Sequence, residues 1–447
     1  MWILALMNLS WAVRPTSGGL FAFDSADVIQ TYDEGMIRVH YSSAGPNVTM
    51  MDDLDLSGHP DFVEQVARAS NDVLDFYADM GFAYPLSESD MGLSALGGNN
   101  AFDFYLVDFG GSSDGMFGID ACDGSRCSGY MVMENDFRGY GYPNIAEAVD
   151  VLTSHELFHA VQAAYNASQP SWLSEGSAVW AEWAYNPDVM DFIWFAAAYL
   201  EETDRSIYRP PAGVTTSFSY GTGLFFAFMD EYYGEERMVS IQESLVDVSE
   251  DEAIFVIMDH MDDVSTDWMT FSQWNLATNI RSGSMDSYSF AARLFGLETE
   301  AEGALIAEDH RFYPLATTYF VLEHSGNAAV NFVYEGEDTD VTFSLHAEDD
   351  SDNTLPALKT WTIGEEPVFT LDLEAGNYWL IGSLPNWAEN SQKVEFCFGA
   401  DCELPVVQDP VVEEDTTKQG CQTLPWEPSV FMLWSLMMLR RRDQSVG

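Results

Sequence analysis

The chain of 447 residues is long enough for two or three domains, and its 47% hydrophobic content supports a sizeable buried core, which excludes a disordered chain. Its 73 acidic and 17 basic residues give a net charge of −56, so its surface repels nucleic acid and anionic lipid, and we expect no nucleic-acid partner. An acidic excess also keeps proteins soluble in salty water, and we favour that explanation over a specific acidic role.

The first twelve residues, MWILALMNLSWA, predict a signal peptide with cleavage after Ala12. The cysteine spacing agrees with export, because Cys122 and Cys127 are close enough to form a local disulfide, as are Cys397 and Cys402. Two local disulfides suit an oxidising compartment, so we expect a secreted or extracellular protein. A four-cysteine zinc site is the weaker alternative, since the two pairs lie in separate regions.

An acidic segment at residues 53–64 matches a calcium-binding loop. Its oxygen-bearing side chains, its central glycine and its closing glutamate follow the order of that loop. A strand is predicted before it over Ile37–Tyr41, and a helix after it over Phe62–Met80. An acidic turn that caps this helix is the alternative to a structural calcium site. The calcium ligands would be Asp53, Asp55, Ser57, His59 through its backbone carbonyl, Asp61 and Glu64.

Two further strands are predicted before the next helix. Residues 101–108 and 129–137 are rich in apolar and aromatic residues, and the glycine-rich stretch between them, which holds the first cysteine pair, is predicted as a loop.

The residues HELFH at positions 155–159 match the zinc-binding pattern H-E-x-x-H. Residues four apart lie on one helix face, so both imidazoles project toward the same point. A helix is predicted here because Asn144 and Glu147 form a capping-box arrangement. A catalytic zinc takes a third protein ligand and leaves the fourth position to water, and the next helical segment places a carboxylate within range. The predicted zinc ligands are His155, His159 and Glu175.

Two neighbouring acids have other predicted roles. Glu156 is the candidate general base, because it can accept a proton from a metal-bound water whose pKa falls to about 7. Glu182 lies two helical turns beyond Glu175 on the same face, so we expect it to hold a ligand in position and not to bind the ion. A purely structural helix pair and a zinc site without activity are the alternatives.

Helical periodicity continues from Ile145 to about Arg311 and then changes. The helical segments are Val189–Glu201, which is apolar nearly all round and should be buried, Phe218–Tyr233, Arg237–Val246 and Trp268–Thr278. After Tyr313 the hydrophobic period becomes two, which predicts a β-sandwich of about ninety residues. Its predicted strands are Thr317–Glu323, Ala329–Tyr334, Val341–His346, Thr360–Ile363, Val368–Leu373, Tyr378–Ser383 and Val394–Phe398.

The HELFH motif and the following WLSEGSA resemble the gluzincin metallopeptidases, whose aminopeptidase members carry H-E-x-x-H and then W-L-N-E-G-F-A. Tyr220-Gly221-Thr222-Gly223 resembles their Y-x-K-G segment, which makes Tyr220 the candidate for stabilising the oxyanion. The spacing from His159 to Glu175 is shorter than in those enzymes, and Thr222 stands where they have lysine. No G-x-M-E-N-like segment is found, so aminopeptidase specificity does not carry over. The resemblance also implies a substrate-pairing edge strand upstream of the zinc helix, for which Tyr130–Glu134 is the candidate and an ordinary core strand the alternative.

A second likeness concerns secreted metalloproteases of myxobacteria, and it covers roughly residues 28–400. It rests on the first cysteine pair, HELFHAVQ, WLSEG and a β-rich C-terminal region. Beyond an acidic linker, Cys421, an apolar stretch to Leu439 and Arg440 to Arg442 resemble the myxobacterial C-terminal sorting signal. The resemblance implies that Cys421 is a processing or lipidation site and that membrane or sorting machinery is a partner. A plain C-terminal helix is the alternative.

These observations predict an α+β fold, in which a zincin-like catalytic region with an upper α/β part and a lower helical part precedes a C-terminal β-sandwich. The expected function is a secreted or surface-anchored zinc peptidase that acts on a peptide or protein substrate. A non-catalytic calcium-binding adhesion protein and a peptidoglycan amidase are the alternatives. The predicted segments are 1–12 (signal peptide), 13–140 (α/β region with the calcium-type loop), 141–312 (helical zinc-binding region), 313–403 (β-sandwich), 404–419 (linker) and 420–447 (sorting or membrane segment).

Overall fold

The N-terminal part of the chain forms a five-stranded mixed sheet in the computed structural model, which describes residues 13–404 except 20, 213–215, 300, 335–338, 350–351 and 388–389. The strand order across the sheet is β1-β2-β3-β5-β4, with parallel pairing at β2–β3 and β3–β5 and antiparallel pairing at the two margins. The strands are β1 (Ile29–Glu34), β2 (Ile37–Ser42), β3 (Phe102–Val107), β4 (Gly115–Asp123) and β5 (Arg126–Glu134).

Strand β4 corrects two predictions. The stretch between residues 109 and 128 was expected to be a loop, but Gly115–Asp123 is a strand that forms a hairpin with β5. Its glycines are required by close packing, because a Cβ at Gly118 would lie 2.6 Å from the ring of Tyr130. The strand β5 pairs on both sides, whereas β4 pairs with β5 alone among the described strands. The prediction that Tyr130–Glu134 forms the sheet edge is therefore wrong, and β4 is the edge strand.

The start of the described chain is tied into this sheet by Arg14. Its guanidinium contacts Glu88 (2.7 Å), Asp103 on β3 (2.5 Å) and Asp120 on β4 (2.6 Å), and all four side chains are almost fully buried. Burying charge is costly unless it is paired, so these carboxylates depend on the guanidinium, and Asp103 is also held by His40 Nε2 (2.7 Å).

The helices follow the predicted order. Asn144 caps the predicted zinc helix as expected, since its side chain accepts a hydrogen bond from the amide of Glu147 (2.9 Å). The segment predicted as one helix over Phe218–Tyr233 is broken at Thr222. The helices are α1 (Asp61–Met80), α2 (Ile145–Tyr165), α3 (Ser171–Tyr185), α4 (Asp191–Leu200), α5 (Ser217–Gly221), α6 (Gly223–Tyr233), α7 (Glu236–Ser244), α8 (Ala253–Asp259) and α9 (Val264–Leu276).

The predicted helical region ends earlier than residue 311. Strands β6 (Ala301–Gly303) and β7 (Leu305–Phe312) replace helix there, and exposed and buried residues alternate along β7. This alternation is the signature of a half-buried strand, and the polar Glu308 and His310 at its inward positions hid it.

The C-terminal strands form two facing sheets with one core. One sheet has the order β11-β10-β13-β8-β6 and the other β12-β9-β14-β7, and their apolar faces meet around Phe332, Phe343 and Phe396. All seven predicted strands are present, which confirms the α+β class and a β-rich C-terminal region. The strands are β8 (Thr317–His324), β9 (Ala328–Tyr334), β10 (Thr342–Ala347), β11 (Ala357–Thr362), β12 (Val368–Leu373), β13 (Gly376–Ser383) and β14 (Gln392–Gly399).

The two predicted disulfides are confirmed. Cys122 joins Cys127 across the β4–β5 hairpin, and Cys397 joins Cys402 at the end of β14. Three predicted segments lie outside the described residues: the signal peptide, the linker beyond Leu404 and the sorting segment with Cys421. The described residues belong to one compact unit that ends at Leu404. Within the described part of the chain, no helix is long and apolar enough to cross a membrane.

Candidate metal centre

The HELFH segment lies in the most buried part of helix α2. Every residue from Val151 to Tyr165 is buried, and the helix packs against α1, α3 and β5. Polar side chains in such surroundings are normally hydrogen-bonded or bind a ligand, because leaving them without a partner is costly. The polar residues of this segment therefore need an explanation from their contacts.

The three predicted zinc ligands converge on one point. The Nε2 atoms of His155 and His159 are 3.1 Å apart, and Glu175 Oε2, which comes from α3, is 3.4 Å from each of them. All three side chains are buried, and Glu175 Oε2 has no hydrogen-bond partner in the described part of the chain. The structure thus brings together a triangle of two nitrogens and one carboxylate oxygen.

The opposite nitrogens of both imidazoles are held by acceptors. His155 Nδ1 donates to Glu182 Oε1 (2.6 Å), and His159 Nδ1 donates to Gln162 Oε1 (2.8 Å). The Gln162 orientation is fixed, because its amide nitrogen donates to the carbonyl oxygen of Ser174 (2.8 Å). In the neutral imidazoles the protons are therefore on Nδ1, and the two Nε2 lone pairs face each other and Glu175.

This arrangement fits a zinc ion. Ligand atoms about 2.0–2.1 Å from a tetrahedral zinc lie roughly 3.3 Å from one another, which is close to the sides of the observed triangle. Three acceptor atoms without a donor between them repel one another unless a cation or a proton lies among them. Histidine ligands that donate their second nitrogen to a carboxylate or an amide are also typical of zinc sites.

The charges around the centre favour a cation. Burial lowers the pKa of His155, but the carboxylates of Glu175 and Glu182 outweigh burial and raise it well above its usual range. Burial likewise raises the pKa of Glu175, but the histidines outweigh it and lower this pKa to about 2. A site that holds protons so strongly through its carboxylates also attracts a divalent ion, which binds as the protons leave.

Glu156 projects toward the edge strand. Burial raises the pKa of its carboxyl, although the two neighbouring histidines oppose the shift. A Cβ at Gly115, the first residue of β4, would lie 2.9 Å from Glu156 Oε1 and would collide with Leu152. Gly115 therefore leaves room for Glu156 at the end of the edge strand, a role that sequence reasoning missed because it treated this stretch as a loop.

Tyr220 lies beside the centre, on the short helix α5. Its ring is 5.9 Å from the ring of His155 and stacks on Phe195 at 4.9 Å between centroids. The Gly-Thr-Gly residues that follow it serve helix packing, because a Cβ at Gly176 of α3 would overlap Thr222 Oγ1. Thr222 Oγ1 bonds the carbonyl oxygen of Trp172 (2.5 Å), so the position where the gluzincin pattern has lysine joins α5 to α3 here.

Two buried acids near the centre were not predicted from the sequence. Asp114 accepts a hydrogen bond from Tyr142 (2.8 Å) through one oxygen and leaves the other without a partner among the described residues. Asp191, the first residue of α4, also has one buried oxygen without a partner there. Burial and the charges of Glu182 and Asp114 raise the pKa of Asp191 well above its usual range. No sequence pattern links these residues, because tertiary contacts alone bring them together.

The acidic loop gathers half of its predicted ligands. Carboxylate oxygens of Asp53, Asp55 and Asp61 lie within 4.8 Å of one another, and Glu64 is not part of this group. Asp53 and Asp55 both accept from the Ser57 amide (3.0 Å), and the remaining predicted ligand, His59, receives a hydrogen bond from Ser57 Oγ at its carbonyl oxygen (3.3 Å). Much of the loop's hydrogen bonding is therefore internal.

Comparisons with known proteins give little more. No family model and no curated protein matches the chain. Among solved structures, it is similar to the pre-peptidase C-terminal domain of a collagenase from Bacillus anthracis, with 13% identity and a TM-score of 0.18 over 23% of this chain and 95% of that domain. It is also similar to PliG of Aeromonas hydrophila, a periplasmic inhibitor of g-type lysozyme, with 10% identity and a TM-score of 0.16 over 23% of this chain and 96% of that one.

Proposed function

We propose that this chain is a secreted zinc-dependent peptidase with a zincin-like catalytic region. The observation that carries the proposal is the triangle formed by His155, His159 and Glu175, whose three free acceptor atoms are spaced as zinc ligands are. The contacts from Glu182 and Gln162 to the outer imidazole nitrogens support it, because they orient both rings toward the same point.

The residues of the centre have distinct roles in this proposal. A bound zinc would supply a polarised water and an electrophile for the scissile carbonyl. Glu156 accepts the proton of the attacking water and passes it to the leaving amine, and burial raises the pKa of its carboxyl. Tyr220 donates to the developing oxyanion. Glu182 and Gln162 keep the two imidazoles in one tautomer.

We assign substrate pairing to β4. An extended peptide adds to an exposed sheet edge through main-chain hydrogen bonds, and β4 is the strand with a free edge beside the centre. Gly115 places the start of this strand against Glu156, so a peptide that pairs with β4 runs past the general base.

The proposal also includes the cellular compartment of the protein and a structural calcium ion. The two disulfides support an oxidising compartment outside the cytoplasm, and a C-terminal sorting signal would anchor the protein at the cell surface. A calcium ion at Asp53, Asp55 and Asp61 would stabilise the loop before α1 and take no part in hydrolysis.

The test combines metal analysis with one isosteric variant. We expect one zinc per chain in the purified protein, cleavage of an unfolded protein substrate, and loss of cleavage with phenanthroline. Glu156→Gln should keep the zinc and lose at least about 100-fold in turnover, because general-base catalysis contributes that much or more. Glu236→Gln, an exposed isosteric change on α7, is the matched control and should cleave normally.

The results also separate the alternatives. A non-catalytic calcium-binding adhesion protein would bind its partner equally well as wild type and as Glu156→Gln, and would lose that binding with calcium. Cleavage of peptidoglycan but of no protein substrate would replace the peptidase proposal with the amidase. Absence of zinc from a protein purified without chelators would contradict both enzymatic proposals.

A further inference from the structure

A cavity of about 590 Å³ opens beside the metal centre, between the segment before α2 and helix α4. Its volume is within the range of small-ligand sites. Its walls include two carboxylates and four aromatic side chains, which are Glu147 and Asp191, and Tyr140, Tyr142, Trp194 and Phe195. None of its described lining residues is basic.

The cavity is connected to the metal centre through both walls. On one side, Phe195 stacks on Tyr220, whose ring lies 5.9 Å from that of His155. On the other side, Tyr142 donates to Asp114, the residue before Gly115 at the start of β4. The hydrogen bond between Tyr142 and Asp114 therefore joins the wall of this cavity to the start of β4.

Charge and shape indicate what that side chain is. Asp191 lines the cavity and has one buried oxygen without a partner among the described residues, and a carboxylate in such surroundings is stabilised by an incoming cation. Trp194 is 60% exposed at the rim, and a planar guanidinium stacks well on indole and phenol rings. Arg293 contacts Met190 Sδ (3.6 Å), but its guanidinium is already held by the carbonyl oxygens of Pro187 and Val189.

We infer that this cavity is a specificity pocket for a basic substrate side chain, arginine above lysine, whose charged end pairs with Asp191 and Glu147. The inference rests on the proposed peptidase function and names its substrate class. Trp194 and Phe195 hold the flat face of the guanidinium, and Tyr142 links the filled pocket to Asp114 beside the edge strand. The burial of Asp191 near Glu182 and Asp114 agrees with a site that gains from a positive charge.

The test measures binding separately from hydrolysis. Three otherwise identical eight-residue peptides of alanine and serine, with arginine, citrulline or leucine at one central position, are titrated by calorimetry into the zinc-loaded Glu156→Gln protein. Citrulline has the shape of arginine without its charge. We expect the arginine peptide to bind about tenfold more tightly than the citrulline peptide, the effect of one partly desolvated charge pair.

Variants assign the effect to the pocket. Asp191→Asn should bring the ratio of the arginine and citrulline affinities close to one, whereas Asp188→Asn, an exposed acid three residues earlier, should leave it unchanged. A thermal melt checks that Asp191→Asn folds. If it does not, Glu147→Gln and Trp194→Ala take its place, and each should reduce the ratio.

Two outcomes would overturn the inference. Equal binding of arginine and citrulline, or tightest binding of leucine, would make this an uncharged pocket. The wild-type protein also separates this inference from the proposed function. Cleavage of mixed peptides without preference for basic residues would contradict the specificity pocket and support the peptidase. Arginine-selective binding without any cleavage would support the pocket and contradict the peptidase.

Discussion

The metal centre and the acidic loop contain similar groups of ligand residues but differ in what satisfies them. In the candidate metal centre, Glu175 Oε2 faces both Nε2 atoms and has no hydrogen-bond partner among the described residues, and acceptors occupy the outer nitrogens. In the loop, backbone amides of Leu54, Ser57 and Gly58 already donate to the carboxylates. A cluster of acids therefore indicates a metal more strongly when its inner atoms are buried and lack donors.

The largest effect should come from removing one corner of the triangle. We expect Glu175→Gln to weaken zinc binding by more than about 100-fold, which exceeds the usual effect of residues behind the ligands. Zinc per chain measured after dialysis is the readout. Asp55→Asn, the corresponding acid-to-amide change in the loop, should leave zinc content unchanged. A Glu175→Gln protein that kept its zinc would contradict the assignment of the third ligand.

A smaller effect is expected behind the ligands. Glu182→Gln keeps the size of the side chain but removes the negative charge that His155 Nδ1 contacts, so zinc affinity should fall by about 10-fold to 100-fold. Competition with a fluorescent chelator measures this change. The exposed Glu236→Gln variant should retain wild-type affinity, and an unchanged affinity in Glu182→Gln would show that the charge does not stabilise the ligand.

Calcium provides the corresponding measurement on the loop. With a dissociation constant of about 10⁻⁴ M, 1 mM calcium stabilises the fold by about 1.4 kcal/mol. We expect the unfolding temperature to rise by about 2 °C relative to a chelator-treated sample. Asp55→Asn should abolish this rise, and Asp52→Asn, an exposed neighbour outside the cluster, should preserve it. If calcium did not change the unfolding temperature of the wild-type protein, the result would support the alternative that the loop is an acidic turn that caps the helix.

The last prediction concerns a largely buried acid that has no cationic partner among the described residues. Asp230 accepts one hydrogen bond from Trp180 Nε1 (3.1 Å), and burial, with the charges of Glu231 and Glu235, raises its pKa from 3.8 to about 6. The folded state then binds a proton that the unfolded state has released, so this group makes stability fall as pH rises from about 4 to about 6.

Denaturant unfolding between pH 4 and pH 7 measures this contribution. Asp230→Asn should flatten the fall in unfolding free energy over that window, because the amide does not titrate. A variant whose stability still fell with the wild-type slope would assign the pH dependence to other groups. Glu175 is the opposite case, since the histidines lower its pKa to about 2.

The sequence predicted the parts of the molecule that depend on local pattern. The cap at Asn144, the spacing of His155 and His159, the local cysteine pairs and the alternating C-terminal strands are all short-range signals. The role of Glu175 could be predicted for the same reason, because this residue lies early in the next helix.

Features that depend on close packing were missed or wrong. The glycines of β4 resembled a loop because their cause lies in Leu152, Glu156 and Tyr130, which are distant along the chain. The polar side chains at the inward positions of β7 obscured its period of two. Gln162 could have been noticed, since an amide three residues after His159 lies on the same helix face, but its partner Ser174 is set by the packing of α3.

The anchoring of Arg14 ties the start of the described chain to the proposed substrate cleft. Its partners lie 74 to 106 residues further along, so this contact joins the start of the described chain to the much later strand β4. Removing the Arg14 side chain would leave the buried carboxylates of Glu88 and Asp120 without their guanidinium partner, and Asp103 would keep only its contact with His40 (2.7 Å). Loss of this one side chain would therefore destabilise the sheet whose edge strand is the proposed peptide-pairing strand.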